Sequence, residues 1–129
     1  KDNQIDKIIK SKIENKIPIL GICVGFQVFF SESNEHGKTK GLQILDGRIQ
    51  NFKDFSRKIK TPHVGWNECR LIKDNKLFTD IEENIISKTN YEIDFVSAIN
   101  TGNIYGVQFH PEKSQASGLK LLKNFYEIC

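Results

Sequence analysis

The sequence has few cysteines, no long apolar run and little excess charge, and each shortage excludes a class of protein. Its three cysteines, Cys23, Cys69 and Cys129, lie far apart and include no Cys-x-x-Cys pair, so we expect neither a disulfide framework nor a structural zinc site. No apolar stretch approaches the roughly 20 residues that a membrane-spanning helix needs. Reduced thiols and the absence of a signal-peptide pattern predict a cytoplasmic protein.

Charge is nearly balanced along the chain, which also narrows the possible functions. With 19 basic and 16 acidic residues, the net charge of +3 forms no dense basic stripe, and this argues against nucleic-acid binding. The three histidines, at positions 36, 63 and 110, show no metal-ligand spacing, so we expect no metal and no cofactor. A chain of 129 residues with 38% hydrophobic residues is long and apolar enough to form one domain with a real core.

The order of the apolar patterns predicts an α/β fold. Residues 1–16 carry isoleucines at helical spacing, and residues 16–23 (KIPILGIC) form the short continuous apolar run of a strand buried on both faces. Residues 24–33 predict a second helix. A helix, a buried strand, a tight turn and a helix in this order are typical of a parallel α/β sheet.

The remainder of the chain predicts shorter strands and a closing helix. We expect a hairpin turn at Asp46-Gly47, a strand around residues 68–72, a turn with a short helix over 75–84, strands at 85–91, 94–100 and 104–110, and a helix over about 117–126. The residues expected to face inward from the second and last helices are Phe26, Phe29 and Phe30, and Leu119, Leu122, Phe125 and Tyr126, respectively.

The stretch GICVGFQVFF (residues 21–30) places a cysteine between two glycines, where the apolar strand ends and a helix begins. Gly-x-Cys-x-Gly is the thiol form of the nucleophile elbow, a strained strand-to-helix turn that pushes the reactive atom outward and requires small flanking residues. A thiolate there faces the unpaired N–H groups of the helix start, and the Val24 N–H is placed to donate to an oxyanion. Cys23 is therefore a candidate nucleophile, although a buried structural thiol explains the pentapeptide equally well.

A second motif, GVQFHPEKS (residues 106–114), supplies the partners that a nucleophilic cysteine needs. His110 ends an apolar strand, at the edge where side chains of an α/β sheet converge, and Glu112 lies close enough to orient its imidazole. A nucleophile, a base and an orienting carboxylate are together typical of covalent catalysis, so we interpret Cys23, His110 and Glu112 as a catalytic triad. The alternative is that His110 is an ordinary surface residue at a strand end.

The two motifs together resemble those of the class I (triad) glutamine amidotransferases. The block PHVGWN (residues 62–67) and the run GVQFHPEKSQASGLKLLKNF narrow the resemblance to the family of glutaminase subunits of imidazole glycerol phosphate synthase, an enzyme of histidine biosynthesis. Matching runs extend from about Ile17 to Phe125. The resemblance implies a flavodoxin-like α/β domain over residues 1–129, with a mixed, mostly parallel sheet and flanking helices.

The chemistry implied by the resemblance is hydrolysis of glutamine to glutamate and ammonia through a cysteine thioester. By motif, Cys23 is the nucleophile, His110 the acid/base and Glu112 the carboxylate that orients it. The positions that match glutamine-binding residues are Val24, Gly25, Gln27 and Glu35, and those that match the partner-facing surface are Trp66, Asn67 and Lys113. Glu35 as a solvated loop carboxylate and Trp66 as a core residue are the alternatives.

The partner implied by the resemblance is a separate (βα)8-barrel cyclase subunit in a heterodimer. That subunit joins the ammonia to a ribulosyl phosphoribosyl substrate and forms imidazole glycerol phosphate and AICAR. We expect no cofactor, no nucleic acid and no membrane among the partners.

Two departures from the family pattern indicate that the sequence is part of a longer chain. The family begins with strands and a glycine-rich loop that helps form the oxyanion hole, and the present sequence has no counterpart before Lys1. The family also carries an aromatic strand resembling FVHSY between the regions at 81–83 and 85–89, where DIEENIISKTNY runs straight through. We therefore expect the domain to be incomplete.

Three other functions fit the same motifs. A paralogous amidotransferase that supplies ammonia for amidino-sugar synthesis in surface polysaccharide would keep the same triad and a related barrel partner. A cysteine hydrolase or chaperone of the same elbow-bearing superfamily fits less well, because those proteins usually draw their histidine from elsewhere. A non-catalytic docking subunit is the alternative of another class.

Overall fold

The computed structural model describes residues 4–35, 37–56, 58–63, 65–71 and 85–129. The predicted turn and short helix over residues 75–84, and the site of the expected missing strand before residue 85, lie outside the described residues. In chain order the elements are α1 (Gln4–Glu14), β1 (Ile19–Ile22), α2 (Val24–Gln27), β2 (Glu32–Ser33), β3 (Thr39–Lys40), β4 (Arg48–Ile49), β5 (Cys69–Leu71), β6 (Ile85–Tyr91), β7 (Ile93–Thr101), β8 (Ile104–Val107) and α3 (Gln115–Ile128). Short 3-10 turns occupy Phe52–Asp54 and Pro111–Lys113.

A five-stranded sheet has the strand order β1-β8-β7-β6-β5. A second, three-stranded sheet has the order β3-β2-β4. The predicted α/β class and the mixed sheet are confirmed. The expected predominance of parallel pairs needs correction for the described strands, because β1 and β8 are parallel whereas β8, β7, β6 and β5 pair antiparallel. For β6, β7 and β8 the physical reason is the short connections, since single turns at Glu92 and at Gly102-Asn103 allow only antiparallel neighbours and a parallel one needs a crossover of a dozen or more residues.

Helices cover both faces of the sheet around β8. Tyr105 and Val107 point to the face that α3 covers, where Leu121 completes a buried cluster and the rings of Tyr105 and Phe125 meet edge to face. Gly106 points to the opposite face, where a side chain at this position would collide with the Phe26 ring. Because side chains alternate along a strand, β8 is packed on both faces.

Helix α3 confirms the predicted closing helix, but its inner face differs from the prediction. Leu122 and Phe125 are half-buried against the core as expected. Leu119 and Tyr126 are 66% and 80% exposed, which contradicts their assignment to the inner side. The helix approaches the sheet along Gly118 and Leu121, and Leu119 is rotated about 100° away from Gly118 on the helix surface.

Helix α2 is shorter than predicted, because it ends at Gln27 instead of continuing to residue 33. The carbonyl groups of Val28, Phe29 and Phe30 accept hydrogen bonds from the N–H groups of residues 42–45, so they do not continue a helix. Phe26 and Phe29 are buried and Phe30 is half-buried, as the inward prediction required.

The predicted hairpin at Asp46-Gly47 is wrong. The segment before it donates its N–H groups to residues 28–30 and therefore does not pair with β4. Strand β4 pairs instead with β2, in parallel, with Arg48 opposite Glu32. Strands β5, β6 and β7 and the first helix agree with the sequence prediction to within about two residues, whereas β8 ends at Val107, before the predicted strand end at His110. Within the described part of the chain, no helix has the length and apolar character needed to cross a bilayer.

Candidate active site

Cys23 occupies a strained turn between β1 and α2. Its backbone has φ 52° and ψ −113°, a conformation that costs a non-glycine residue about 1–3 kcal/mol. The Cys23 N–H donates to the Val107 carbonyl at 2.8 Å, and its own carbonyl accepts the N–H groups of Phe26 and Gln27 at 3.0 and 3.1 Å. These three hydrogen bonds keep Cys23 in its strained conformation. A strained turn at this position is what the elbow motif predicts. The side chain is half-buried, which differs from a thiol enclosed in a core.

The two glycines of the elbow have different physical roles. A β-carbon at Gly21 would lie 2.6 Å from the Phe29 ring and 2.7 Å from the Gly25 carbonyl oxygen, so the strand and the helix need glycine there to approach each other. A β-carbon at Gly25 would meet no protein atom within 4 Å. The packing requirement expected on both sides of the cysteine therefore holds for Gly21 alone.

His110 and Glu112 form a close pair after the end of β8. The imidazole Nδ1 lies 2.5 Å from the Glu112 Oε1, and the two side chains are 43% and 47% exposed. A hydrogen bond from the Glu112 backbone N–H and the contact with His110 hold the pKa of this carboxyl below its usual range. The ionised carboxylate accepts a hydrogen bond from Nδ1–H, and in the neutral imidazole this tautomer leaves Nε2 without a hydrogen.

The turn that carries this pair is fixed from two sides. The Ser114 hydroxyl donates to the His110 carbonyl at 2.7 Å, and the Lys113 N–H donates to the same carbonyl at 3.0 Å. Helix α3 presses on the turn through Gly118, where a β-carbon would overlap the Pro111 carbonyl oxygen. Because position 118 is glycine, α3 can pack closely against Pro111, and this contact fixes the position of the His110–Glu112 turn relative to the helix.

The parallel register of β1 and β8 brings the two motifs to one edge of the sheet. Ile22 lies opposite Val107, so Cys23 and Gln108 follow the paired strands at the same level. Cys23, His110, Gln27 and Glu35 are among the many residues that line one broad, open groove of the described structure. Among the predicted site residues, Glu112 reaches this groove only through His110.

Gln108 is a site residue that the sequence analysis did not single out. Its Nε2 donates to the Cys23 sulfur at 3.7 Å, and its Oε1 accepts the Gln27 Nε2–H at 3.1 Å. Gln27 is thus connected to the cysteine through a second amide. The feature of the sequence that could have identified Gln108 is its position, because it comes immediately after a strand that is parallel to the one preceding Cys23.

Glu35 is held at the groove by its backbone. Its carbonyl accepts the Asn51 Nδ2–H at 2.7 Å, and its N–H donates to the Ser33 hydroxyl at 3.2 Å. The side chain is half-buried and lines the same groove as Cys23. Its carboxylate therefore adds negative charge to the groove wall.

The described residues of the PHVGWN block, at positions 62, 63 and 65–67, line another part of the groove. Trp66 is 70% exposed, so the alternative that it packs in the core is wrong. The Asn67 side chain donates to the Asn90 carbonyl at 3.2 Å, and the His63 ring stacks on Tyr91 with 3.8 Å between ring centres. Lys113 is exposed and lines the groove as well. The predicted partner-facing residues therefore include a large apolar side chain displayed to solvent.

Comparison with known proteins places the chain in a family. The family model described as "Glutamine amidotransferase class-I" matches residues 3–129. Three similar curated proteins carry the name imidazole glycerol phosphate synthase subunit HisH. The one from Methanocaldococcus jannaschii is 40% identical over 133 residues, covering 90% of this chain and 66% of that protein. Those from Geobacillus kaustophilus and Listeria monocytogenes are 36% and 39% identical, covering 94% and 96% of this chain and 67% of each relative.

The matches cover nearly all of this chain but only part of each relative. The chain spans about two thirds of the length of the curated relatives it matches. The match to the Geobacillus kaustophilus protein extends over 141 residues although this chain has 129, so the relative contains residues without a counterpart inside the matched region. With the strand-to-helix cysteine turn, the His110–Glu112 pair and the family match over residues 3–129, the chain belongs to the class-I glutamine amidotransferase family.

Proposed function

We propose that this chain hydrolyses glutamine to glutamate and ammonia and delivers the ammonia to a cyclase subunit of imidazole glycerol phosphate synthase. The observation that carries the proposal is the strained turn at Cys23 beside the parallel strand whose extension holds the His110–Glu112 pair. The names of the three relatives support the choice of synthase.

The first half of the reaction forms a thioester. His110 takes the thiol proton, and the Cys23 sulfur attacks the γ-carbonyl carbon of glutamine to give a tetrahedral intermediate. The N–H of Val24, at the start of α2, donates to the developing oxyanion. His110 returns the proton to the amide nitrogen as the C–N bond breaks, so that ammonia leaves and the γ-glutamyl thioester remains.

The second half consumes one water molecule. His110 removes a proton from the water as its oxygen attacks the thioester carbonyl, and the sulfur leaves with that proton. The net reaction is glutamine plus water to glutamate plus ammonia. Glu112 is the positioning residue throughout, because its carboxylate holds the imidazole through Nδ1 and stabilises the imidazolium formed in each half.

Gly25, Gln27 and Glu35 are the remaining proposed contacts to glutamine. The open space at Gly25 leaves room for substrate beside the nucleophile. Gln27 lies on the turn that follows Cys23, and the Glu35 carboxylate lines the same groove and attracts the substrate's ammonium group.

The cyclase subunit is proposed to dock on the surface that includes Trp66, Asn67 and Lys113. Trp66 is 70% exposed, and tryptophan is a frequent centre of binding energy in protein interfaces. Asn67 is held to the Asn90 carbonyl, so the loop presents Trp66 from a fixed position. A (βα)8-barrel partner on this surface would receive ammonia from the same groove that holds Cys23.

We also propose that the protein acts in the cytoplasm. The thioester chemistry requires a reduced thiol at position 23, and Cys23, Cys69 and Cys129 are all free cysteines. Cytosolic thiols are kept reduced, whereas oxidising compartments favour disulfides.

The experiment that tests the function compares two activities of the complex between the intact protein and a barrel cyclase. Cys23→Ala should abolish glutamate release from glutamine and leave ammonia-dependent cyclisation intact. Cys129→Ala is the matched control, because Cys129 is an exposed cysteine at the end of α3 and should leave both activities unchanged. Glutamate release that persists in Cys23→Ala would refute the proposed nucleophile.

Glutamate release, together with a growth test, separates the alternative functions. A non-catalytic docking subunit would support ammonia-dependent cyclisation and release no glutamate in the unaltered protein. A paralogue for amidino-sugar synthesis would release glutamate and fail to restore growth of a histidine auxotroph that lacks its own glutaminase subunit. Restored growth that depends on Cys23 is the result we expect.

A further inference from the structure

The amide of Gln108 lies between the nucleophile and a second amide. Its Nε2 is 3.7 Å from the Cys23 sulfur, and its Oε1 is 3.1 Å from the Gln27 Nε2. The chain Gln27–Gln108–Cys23 joins residues 81 and 85 positions apart in the sequence, through side chains that are all partly buried. None of the steps proposed for glutamine hydrolysis uses Gln108.

The backbone fixes Gln108 at this position. Its N–H donates to the Ser97 carbonyl at 2.9 Å, and the preceding Val107 is fully buried and accepts the Cys23 N–H. The Cys23 backbone is thus bonded to the residue before Gln108, and Gln108 itself is bonded to β7, so the sheet sets the relative position of the two side chains.

The two hydrogen bonds choose one orientation of the Gln108 amide. An ionised sulfur accepts hydrogen bonds and has none to donate, so only the NH₂ end of the amide can stabilise it. Gln27 donates to the opposite end, the carbonyl oxygen, and this contact keeps the NH₂ end directed at the sulfur. A hydrogen bond to an ionised acceptor is stronger than one between neutral groups.

We propose that Gln108 is a positioning residue that holds the Cys23 sulfur as an attacking thiolate, and that Gln27 orients the Gln108 amide for this task. The inference rests on the proposed function, since a thiolate needs positioning only where Cys23 is the nucleophile. It adds an amide donor on the side of the sulfur that faces β8. Gln27 then acts on the cysteine as well as lying in the groove proposed for the substrate.

The test measures how fast Cys23 is alkylated by iodoacetamide as a function of pH, with each cysteine peptide quantified by mass spectrometry. Gln108→Met keeps an unbranched side chain of similar length and removes the donor. We expect the rate of Cys23 alkylation at neutral pH to fall about 3- to 10-fold, because the sulfur loses a hydrogen-bond donor that stabilises its ionised form. Alkylation of the exposed Cys129 in the same sample should not change and serves as the internal reference.

Gln27→Met gives an independent arm if the Gln108 variant folds poorly. It should lower the rate of Cys23 alkylation by a smaller factor, because the Gln108 amide then rotates more freely. The double variant should match Gln108→Met alone, since Gln27 acts through Gln108. Gln4→Met, an exposed glutamine on α1, is the control and should leave the profile unchanged.

Alkylation requires no turnover, so the inference and the proposed function fail in different ways. Unchanged Cys23 alkylation profiles in folded Gln108→Met and in Gln27→Met would overturn the positioning role, whatever the glutaminase activity. A shifted profile in a protein that releases no glutamate would support the Gln108 contact and refute the proposed function.

Discussion

Replacing Gly118 by alanine should destabilise the protein and displace the catalytic turn, although the same change normally stabilises a helix. In a helix interior, alanine is favoured over glycine by about 1 kcal/mol. At this position the new β-carbon would overlap the Pro111 carbonyl oxygen and lie 2.7 Å from its carbonyl carbon and 2.8 Å from the Ser114 β-carbon. Ordinary contacts of this kind begin near 3.4 Å, so the new β-carbon must move about 0.7 Å from the Pro111 carbonyl carbon and by more than that from the carbonyl oxygen it overlaps.

The size of the effect follows from two opposing terms. Overpacking against backbone costs about 1–3 kcal/mol, and the three contacts under 3.0 Å put this site at the upper end. After the helix gain is subtracted, we expect a net loss of about 2 kcal/mol in the free energy of unfolding. A displacement of about 1 Å or more at the Pro111 carbonyl also moves His110, so glutamate release should fall about 10- to 100-fold.

Two measurements on the intact protein check this prediction. Urea unfolding followed by circular dichroism gives the stability, and glutamate release gives the position of the turn. Ser117→Ala is the control, because Ser117 is an exposed neighbour on the same helix and its replacement should leave stability and activity nearly unchanged. A Gly118→Ala protein as stable and as active as the parent would refute the argument that α3 fixes the position of the turn.

Two further predictions concern the carboxylate and the tryptophan of the proposed site. Glu112→Gln should lower glutamate release by about 10²- to 10⁴-fold, because the amide no longer holds the His110 ring as an ionised acceptor does. The folded-state pKa of Glu112 is lowered, so its contribution to stability is present above the ordinary carboxyl range and is lost as the pH falls through the lowered pKa. The stability difference between parent and Glu112→Gln should therefore be constant near neutral pH and disappear in acid, and a difference that grows in acid would contradict this assignment. Trp66→Ala should weaken binding to the cyclase subunit at least tenfold in a titration, while the urea midpoint stays within error, because the side chain is 70% exposed. Unchanged binding would remove Trp66 from the proposed interface.

The sequence predicts the local parts of the candidate site well. The elbow at Cys23 is a short-range feature, since Gly21 and the following helix start determine the turn within a few residues. The His110–Glu112 contact spans two residues and depends on the proline between them, so it is also readable from the motif. Both motifs follow apolar strands, and strand ends are easy to locate from the pattern.

Features that depend on distant partners could not be predicted in this way. The end of α2 at Gln27 is set by N–H donors from residues 42–45, which no helix-propensity argument contains. The exposure of Leu119 depends on which face of α3 meets the sheet, and Gly118 decides that by its close approach to Pro111. Gln108 reads as one more residue of an apolar strand until the parallel register places it beside Cys23.

The most direct test of the central claim is to trap the covalent intermediate on the cysteine. The intact protein in complex with its cyclase is incubated with isotope-labelled glutamine, quenched in acid and digested, and the labelled peptides are identified by mass spectrometry. We predict a γ-glutamyl group on the peptide that contains Cys23 and no label in Cys23→Ala. Glutamate release without label on that peptide, or label that persists in Cys23→Ala, would contradict the account.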